Sequence, residues 1–436
     1  MVVKEFKAIG ITCGIGSMLL GARQAGFKIV GNVEWRNYYR RLDANGNNTF
    51  LRDFPGAFLV DKLDSLMPHQ KDDYTNADLA LGHPECGNFS ALSFSNKNKA
   101  EKELDPGDIP LFVDMVATFK PKFFVMDDLP RSFGAFPMSE YHQRLPEYDL
   151  FPEWIDNYGY GNVQLNRKRM FMIGSLKSEK WTFRPSESDH ENTTVSVIQD
   201  LQGKEGKIPN HDPHQMDSNC SKMMDWNTHG SRGTWADCQK VFEAMPEGPP
   251  LPYVAKDGDT KVRMGFSKAH KGHAHVLTGS NAVINPLTNL PFSIRERARI
   301  QGFPDDFVFY GTKINPDGTW DHDKNQPLVR QTGKAMPIQF NRYVATQIML
   351  HLKGEESTAT NQRTLKPNGL ISDAKKWYCE NVGYAEQKKA CQACWLHDDC
   401  NKSQAFMDPM AATIRMHKKD KLDAKKVKSV SQYQGS

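Results

Sequence analysis

Cys86 lies in the segment LGHPECGNFS, Leu81 to Ser90, a turn-rich loop with Glu85 before the thiol and Gly87 after it. A thiolate is a strong nucleophile, but an adjacent carboxylate disfavours it unless something neutralises the carboxylate. Alone, Cys86 reads as a working nucleophile, a disabled one or a buried thiol. Asp127 and Asp128 end the apolar run PKFFVMDD, and Arg167 and Arg169 begin the run NRKRMFMIGS. Near the N-terminus, Gly14 and Gly16 follow one apolar run and Glu34 ends the next. Cys379, Cys391, Cys394 and Cys400 follow the spacing C-x11-C-x2-C-x5-C. Four thiolates so close together suit tetrahedral zinc or a four-iron cluster. The plainer alternatives are four ordinary cysteines, or disulfides formed in handling.

The elements that must hold these groups alternate. FKAIGITCGIGSMLLGARQAGFKIVGNVEW reads as strand, glycine turn, helix and strand, with the helix over residues 16–25. ADLALGHPECG is a strand running into the Cys86 loop, and IPLFVDMVATFKPKFFVMDDLP is a helix and then a strand. Alternating strands and helices predict a doubly wound α/β sheet, whose ligands sit beyond the C-terminal strand ends. A glycine turn over a helix N-terminus, with an acid about 20 residues on, fits a nucleotide-type ligand held through its ribose. A tight structural turn explains Gly14 and Gly16 equally simply.

At 436 residues the chain has room for two or three domains, and 39% apolar residues suffice for packed cores. Net charge is only +4, which permits a nucleic-acid partner without arguing for one. No long apolar run predicts a membrane span, and MVVKEFKAIGIT is too short and charged for a signal peptide. The expectation is a soluble, cytoplasmic protein, monomeric and away from membranes, in a bacterial or phage-infected cell.

The order of these segments resembles that of the DNA cytosine-5 methyltransferases over residues 5–175 and 285–352. ITCGIGS, VEW, GHPECGNFS, PKFFVMDDLP, NRKRMFMIGS, SIRERARIQGFPDDF and RQTGKAMP follow the family's order. The resemblance implies a Rossmann-like S-adenosylmethionine-dependent fold with a smaller target-recognition domain, acting on double-stranded DNA. It assigns the cofactor to Thr12, Gly14, Ile15, Gly16, Glu34 (ribose), Trp35 (adenine), Asp61, Leu111 and Lys334. It makes Cys86 the nucleophile at carbon 6 of a flipped cytosine, Asp127 the acid at ring N3, Arg169 a contact to the ring carbonyl and Arg167 its support.

The departures fall inside the site. Glu85 stands for a proline, Gly87 for a glutamine and Asp127-Asp128-Leu129 for Glu-Asn-Val. Thr12 replaces an aromatic, and Lys334 replaces an asparagine near the cofactor. A lysine beside a sulfonium is repulsive by about 1 kcal/mol or more. It requires an anion, either Glu85 or a carboxylate on the donor itself, as in carboxy-S-adenosylmethionine. The altered pocket at Lys334 and Glu85 points to the second case, whose product is 5-carboxymethylcytosine, suited to a virus guarding its genome; ordinary 5-methylcytosine formation is the alternative. Three functions compete: an active cytosine-5 alkyltransferase, an inactive DNA-binding relative and an RNA cytosine methyltransferase.

The predicted organisation is a catalytic domain over 1–175, target recognition over 176–284, a return to the catalytic domain over 285–352 and a linker over 353–370. A four-cysteine metal module follows over 371–414, then a basic tail over 415–436. The C-x2-C-x5-C half with NKSQAFM resembles the WhiB-type iron–sulfur proteins, which implies a [4Fe-4S] cluster, with zinc the alternative. Residues 176–284 lack periodicity; His211, His214, Cys220 and Cys238 there are too irregular to predict a metal site.

Overall fold

The computed structural model describes residues 5–43, 45–85, 89, 105–129, 132–165, 167–187, 190–212, 235–245, 247, 252–254, 260–262, 266–279, 282–311 and 327–355. The chain divides into two units, Met1–Gln362 and Arg363–Ser436, and every described residue belongs to the first. Cys86, the four C-terminal cysteines and the basic tail lie outside the described residues.

The apolar runs fold as strands β1 (Lys7–Ile11), β2 (Lys28–Val33), β3 (Phe58–Val60), β4 (Leu79–Gly82), β5 (Phe123–Asp128), β6 (Tyr148–Asp156) and β7 (Lys168–Leu176). They form one sheet in the order β3-β2-β1-β4-β5-β7-β6. The first five run parallel, and β7 is antiparallel to both neighbours. β1, β4 and β5 are buried almost throughout, so their sequences are continuous apolar runs rather than alternating ones. The strand order reverses between β1 and β4, which opens a crevice beyond their C-terminal ends.

The helix Ser17–Gln24 follows β1, and the helix Ile338–Leu352 packs on it. Gly21 decides this contact, because a Cβ there would come within 2.8 Å of the Arg342 backbone nitrogen. Phe340, Val344 and Ile348 fill the main core from the same helix.

A smaller core gathers Val163, Ile198, Leu201, Ala269, Leu277, Val283, Phe292 and Ile300. It contains a parallel strand pair, Phe266–Lys268 with Ala282–Ile284. Its helix Ile294–Gln301 starts at a capping box, Ser293 with Glu296. His211 belongs to this framework, with Nδ1 2.8 Å from Ser293 Oγ and Nε2 2.9 Å from the Leu201 carbonyl. Among the described residues no group of three or more His, Cys, Asp or Glu side chains is placed to hold a metal. No helix among them is long and apolar enough to cross a membrane.

Candidate active site

The chain leaves β1 through a turn with positive φ at Thr12 (57°), Gly14 (59°) and Gly16 (90°). A β-branched residue in the left-handed region is strained. Thr12 is held there by complete burial and by its carbonyl, which accepts from the Arg36 guanidinium. The Gly14 N–H donates to Glu34 Oε2 at 2.7 Å. Arg36 grips the same carboxylate, Nε to Oε1 and Nη2 to Oε2, both at 2.7 Å, and its backbone N–H adds 2.9 Å to Oε1. A carboxylate offers about four lone-pair sites, so Glu34 is saturated. A ribose hydroxyl reaches it only by displacing one of these donors.

Glu85 Oε1 and Oε2 accept from Lys334 Nζ at 2.9 and 3.1 Å. The Tyr38 hydroxyl lies 3.4 Å from Glu85 Oε2 and 3.3 Å from Lys334 Nζ, and Arg36 Nη1 lies 3.7 Å from Glu85. Burial pushes the Glu85 carboxyl up, but Lys334 and Arg36 outweigh it and hold it below the usual range. Of the two anions that Lys334 required, the chain itself supplies one.

Asp127 is the penultimate residue of β5 and has no exposure. Arg169, from β7, donates Nε to Oδ1 at 2.8 Å and Nη2 to Oδ2 at 2.6 Å. His83 Nδ1 lies 2.7 Å from Oδ2. Burial pushes the Asp127 carboxyl up, yet Arg169 and His83 hold it below the usual range, so it is an anion. Asp128 faces away and is pushed well up by burial; its Oδ2 has no partner among the described residues. The two acids of the sequence motif are thus pushed in opposite directions, Asp127 down and Asp128 up.

The glycine turn after β1, the acid and indole after β2 and the buried Asp–Arg pair of β5 thus lie at the C-terminal ends of strands in one sheet. The sequence pattern of the C-5 cytosine-specific DNA methylase family matches residues 6–350. The chain belongs to that family.

Among curated relatives of this methylase is the type II methyltransferase M1.HphI of Haemophilus parahaemolyticus, 26% identical over 360 residues, covering 78% of this chain and 86% of the relative. The type II methyltransferase M.HindV of Haemophilus influenzae is 24% identical over 357 residues, covering 79% and 96%. The Entamoeba histolytica methyltransferase EhMeth is a solved structure 13% identical, with a TM-score of 0.48, covering 80% of this chain and 98% of that one.

Membership makes the chain a methyltransferase and implies S-adenosylmethionine as donor. The residues present fit that molecule. Trp35 offers a ring face, steadied by Nε1 donating to Asp108 Oδ2 at 3.2 Å, and Glu34, just after β2, takes a ribose hydroxyl only in exchange for a present donor. Leu111 is 44% exposed on the helix Ile109–Phe119 beside Asp108, free to meet a ligand. Asp61 follows β3 at the surface, where its carboxylate accepts from Ser65. The Ile15 side chain is in the core, so only its backbone faces the turn.

Arg167 reaches across the methylase, Nη1 to the Leu277 carbonyl at 2.8 Å and Nη2 to the Ala335 carbonyl at 2.6 Å. Both contacts tie the start of β7 to backbone carbonyls of later segments, and neither is to Arg169. Sequence reasoning missed Arg36, Tyr38, His83 and Asp108. His83 lies within GHPECGNFS and Arg36 directly follows VEW, a signal that could have found them.

Proposed function

We propose that this methylase transfers a methyl group to carbon 5 of cytosine in double-stranded DNA, with Cys86 as covalent nucleophile. The observation that carries the reading is the buried Asp127–Arg169 pair beside His83, donors and a carboxylate suited to a flipped ring's O2 and N3. The thiolate adds to carbon 6 while a proton goes to N3, which makes carbon 5 an enamine-type nucleophile. S-adenosylmethionine supplies the electrophilic carbon. Loss of the carbon 5 proton and expulsion of the thiolate restore the ring. Cys86→Ala should lower 5-methylcytosine formation about 10⁴-fold or more, read by mass spectrometry of digested DNA. It should also abolish the gel-stable adduct that the parent forms with 5-fluorocytosine DNA. Undiminished product would remove Cys86 from the chemistry.

The plain methyl donor is the first reading because Lys334 already has Glu85 as its counter-ion. Glu85→Gln should raise the KM for S-adenosylmethionine about fivefold to tenfold, since it leaves Lys334 unpaired beside a sulfonium. An unchanged KM would place Lys334 away from the donor. One observation favours carboxy-S-adenosylmethionine as a second reading. Glu85 also faces Arg36 and Tyr38, so Lys334 can release it for a donor carboxylate. Parallel reactions with each donor, read as nucleoside masses, decide between them.

Further proposals rest on sequence alone. Residues 176–284 read the target bases, and Cys379, Cys391, Cys394 and Cys400 hold an iron–sulfur cluster or zinc. The 415–436 tail adds phosphate contacts, and the chain acts as a monomer in the cytoplasm of a bacterial or phage-infected cell.

A further inference from the structure

We infer that Arg36 competes with the donor's ribose for Glu34, and that the ribose enters by moving the Arg36 guanidinium onto Glu85. This makes Arg36 a specificity-determining residue for the donor. The inference rests on the proposed use of S-adenosylmethionine, whose ribose hydroxyls Glu34 would hold. Arg36 Nε and Nη2 each lie 2.7 Å from an oxygen of that carboxylate. The Glu34 side chain has no exposure and that of Arg36 has 8%, so the pair closes the acid off from a ligand.

Of the donors on Glu34, only the guanidinium can leave. The Gly14 N–H belongs to a fixed turn, in which Gly14 takes a φ of 59° and its carbonyl accepts from Asn32 Nδ2 at 3.3 Å. The Tyr39 ring packs directly over that glycine. The Arg36 N–H is fixed as well, because the chain turns there into the helix Asn37–Arg40. The remaining two donors sit together at the end of one side chain.

That side chain has a second acceptor within reach. Nη1 lies 3.7 Å from Glu85 Oε2, and Nη2 lies 3.3 Å from the His83 carbonyl. The guanidinium carbon is 4.9 Å from the centre of the Tyr39 ring, whose face attracts a cation without fixing one bond direction. Moving to Glu85 therefore exchanges one ion pair for another and leaves neither buried acid without a cation nearby. Two ribose hydroxyls then replace Nε and Nη2 on Glu34, donor for donor. A ligand without those hydroxyls cannot make the exchange, since it would leave a buried carboxylate short of partners. The apparent affinity for the donor is lowered by the hold of Arg36 on Glu34, and a weaker competitor raises it.

Isothermal titration calorimetry tests this with two ligands, S-adenosylhomocysteine and its 2′,3′-dideoxy analogue, on the parent, Arg36→Lys and Glu85→Gln. A lysine ammonium is a point charge and cannot fill both oxygens of Glu34 as the guanidinium fork does. Arg36→Lys should bind S-adenosylhomocysteine about threefold to tenfold more tightly than the parent and the dideoxy analogue equally well. Glu85→Gln removes the anion that receives the guanidinium. It should bind S-adenosylhomocysteine about threefold to tenfold more weakly, again with the analogue unchanged. Neither ligand carries a sulfonium, so the charge of Lys334 acts on both alike. A change of the same size for both ligands, or no change for either, overturns the inference, because a residue that only supports the fold does not sense two hydroxyls. Thermal unfolding checks that each variant is folded, and Glu85→Gln carries the test if Arg36→Lys is not. A parent that binds neither ligand overturns the inference as well. A parent that shows the expected binding pattern but makes no modified cytosine overturns the proposed function and leaves this inference standing.

Discussion

Arg169→Met is expected to unfold about 3–5 kcal/mol more easily than the parent and to lose turnover. The cost arises because Asp127 stays behind as an uncompensated buried charge. The Asp127 side chain has no exposure and that of Arg169 has 7%, so solvent cannot replace the lost guanidinium. His83 remains at 2.7 Å, but burial keeps it neutral at neutral pH, and it offers a hydrogen bond rather than a charge. The pH dependence has a definite sign. In the parent Asp127 titrates below its ordinary 3.8, so its contribution is present above that value and is lost as pH falls through the lowered one. The stability gap between parent and variant is therefore full at neutral pH and closes in acid. Denaturant unfolding at several pH values measures it. A gap that is small, or equally large in acid, would mean that the pair does not stabilise the fold through charge.

Gly333→Ala is expected to cost more than about 4 kcal/mol, the range reached only by a few severe mechanisms. A Cβ on Gly333 would fall on the Thr278 carbonyl and against the Gly279 nitrogen. Neither side can retreat. Arg167 holds the Leu277 and Ala335 carbonyls, Arg297 donates to the Thr278 carbonyl and to Thr332 Oγ1, and Gln301 donates to the Thr332 carbonyl. The helix Pro327–Lys334 and the 277–279 segment are thereby locked together at the residue before Lys334. Gly279→Ala is the control, since a Cβ there meets only Arg330 and Lys334 at 3.6 Å. It should fold and turn over nearly as the parent does. Equal stability of the two variants in thermal unfolding would overturn this account of Gly333.

The sequence by itself determined the sheet and the neighbourhood of the site. Runs such as KAIGI and FFVMDD are apolar because both faces of their strands are covered, and the suggestive residues follow because crevices open beyond strand ends. It also raised the question of a counter-ion for Lys334, either Glu85 or a donor carboxylate. Only the tertiary structure brings Lys334 against Glu85. Lys334 and Glu85 are 249 residues apart, and no local periodicity links them. It also decided that Arg36 saturates Glu34, that the Asp127 carboxyl is held down while that of Asp128 is pushed up, and that His83 stands against Asp127. Backbone elements follow from short-range pattern and burial. The charge state of a side chain depends on which distant groups surround it once water is gone, and only the folded chain fixes that.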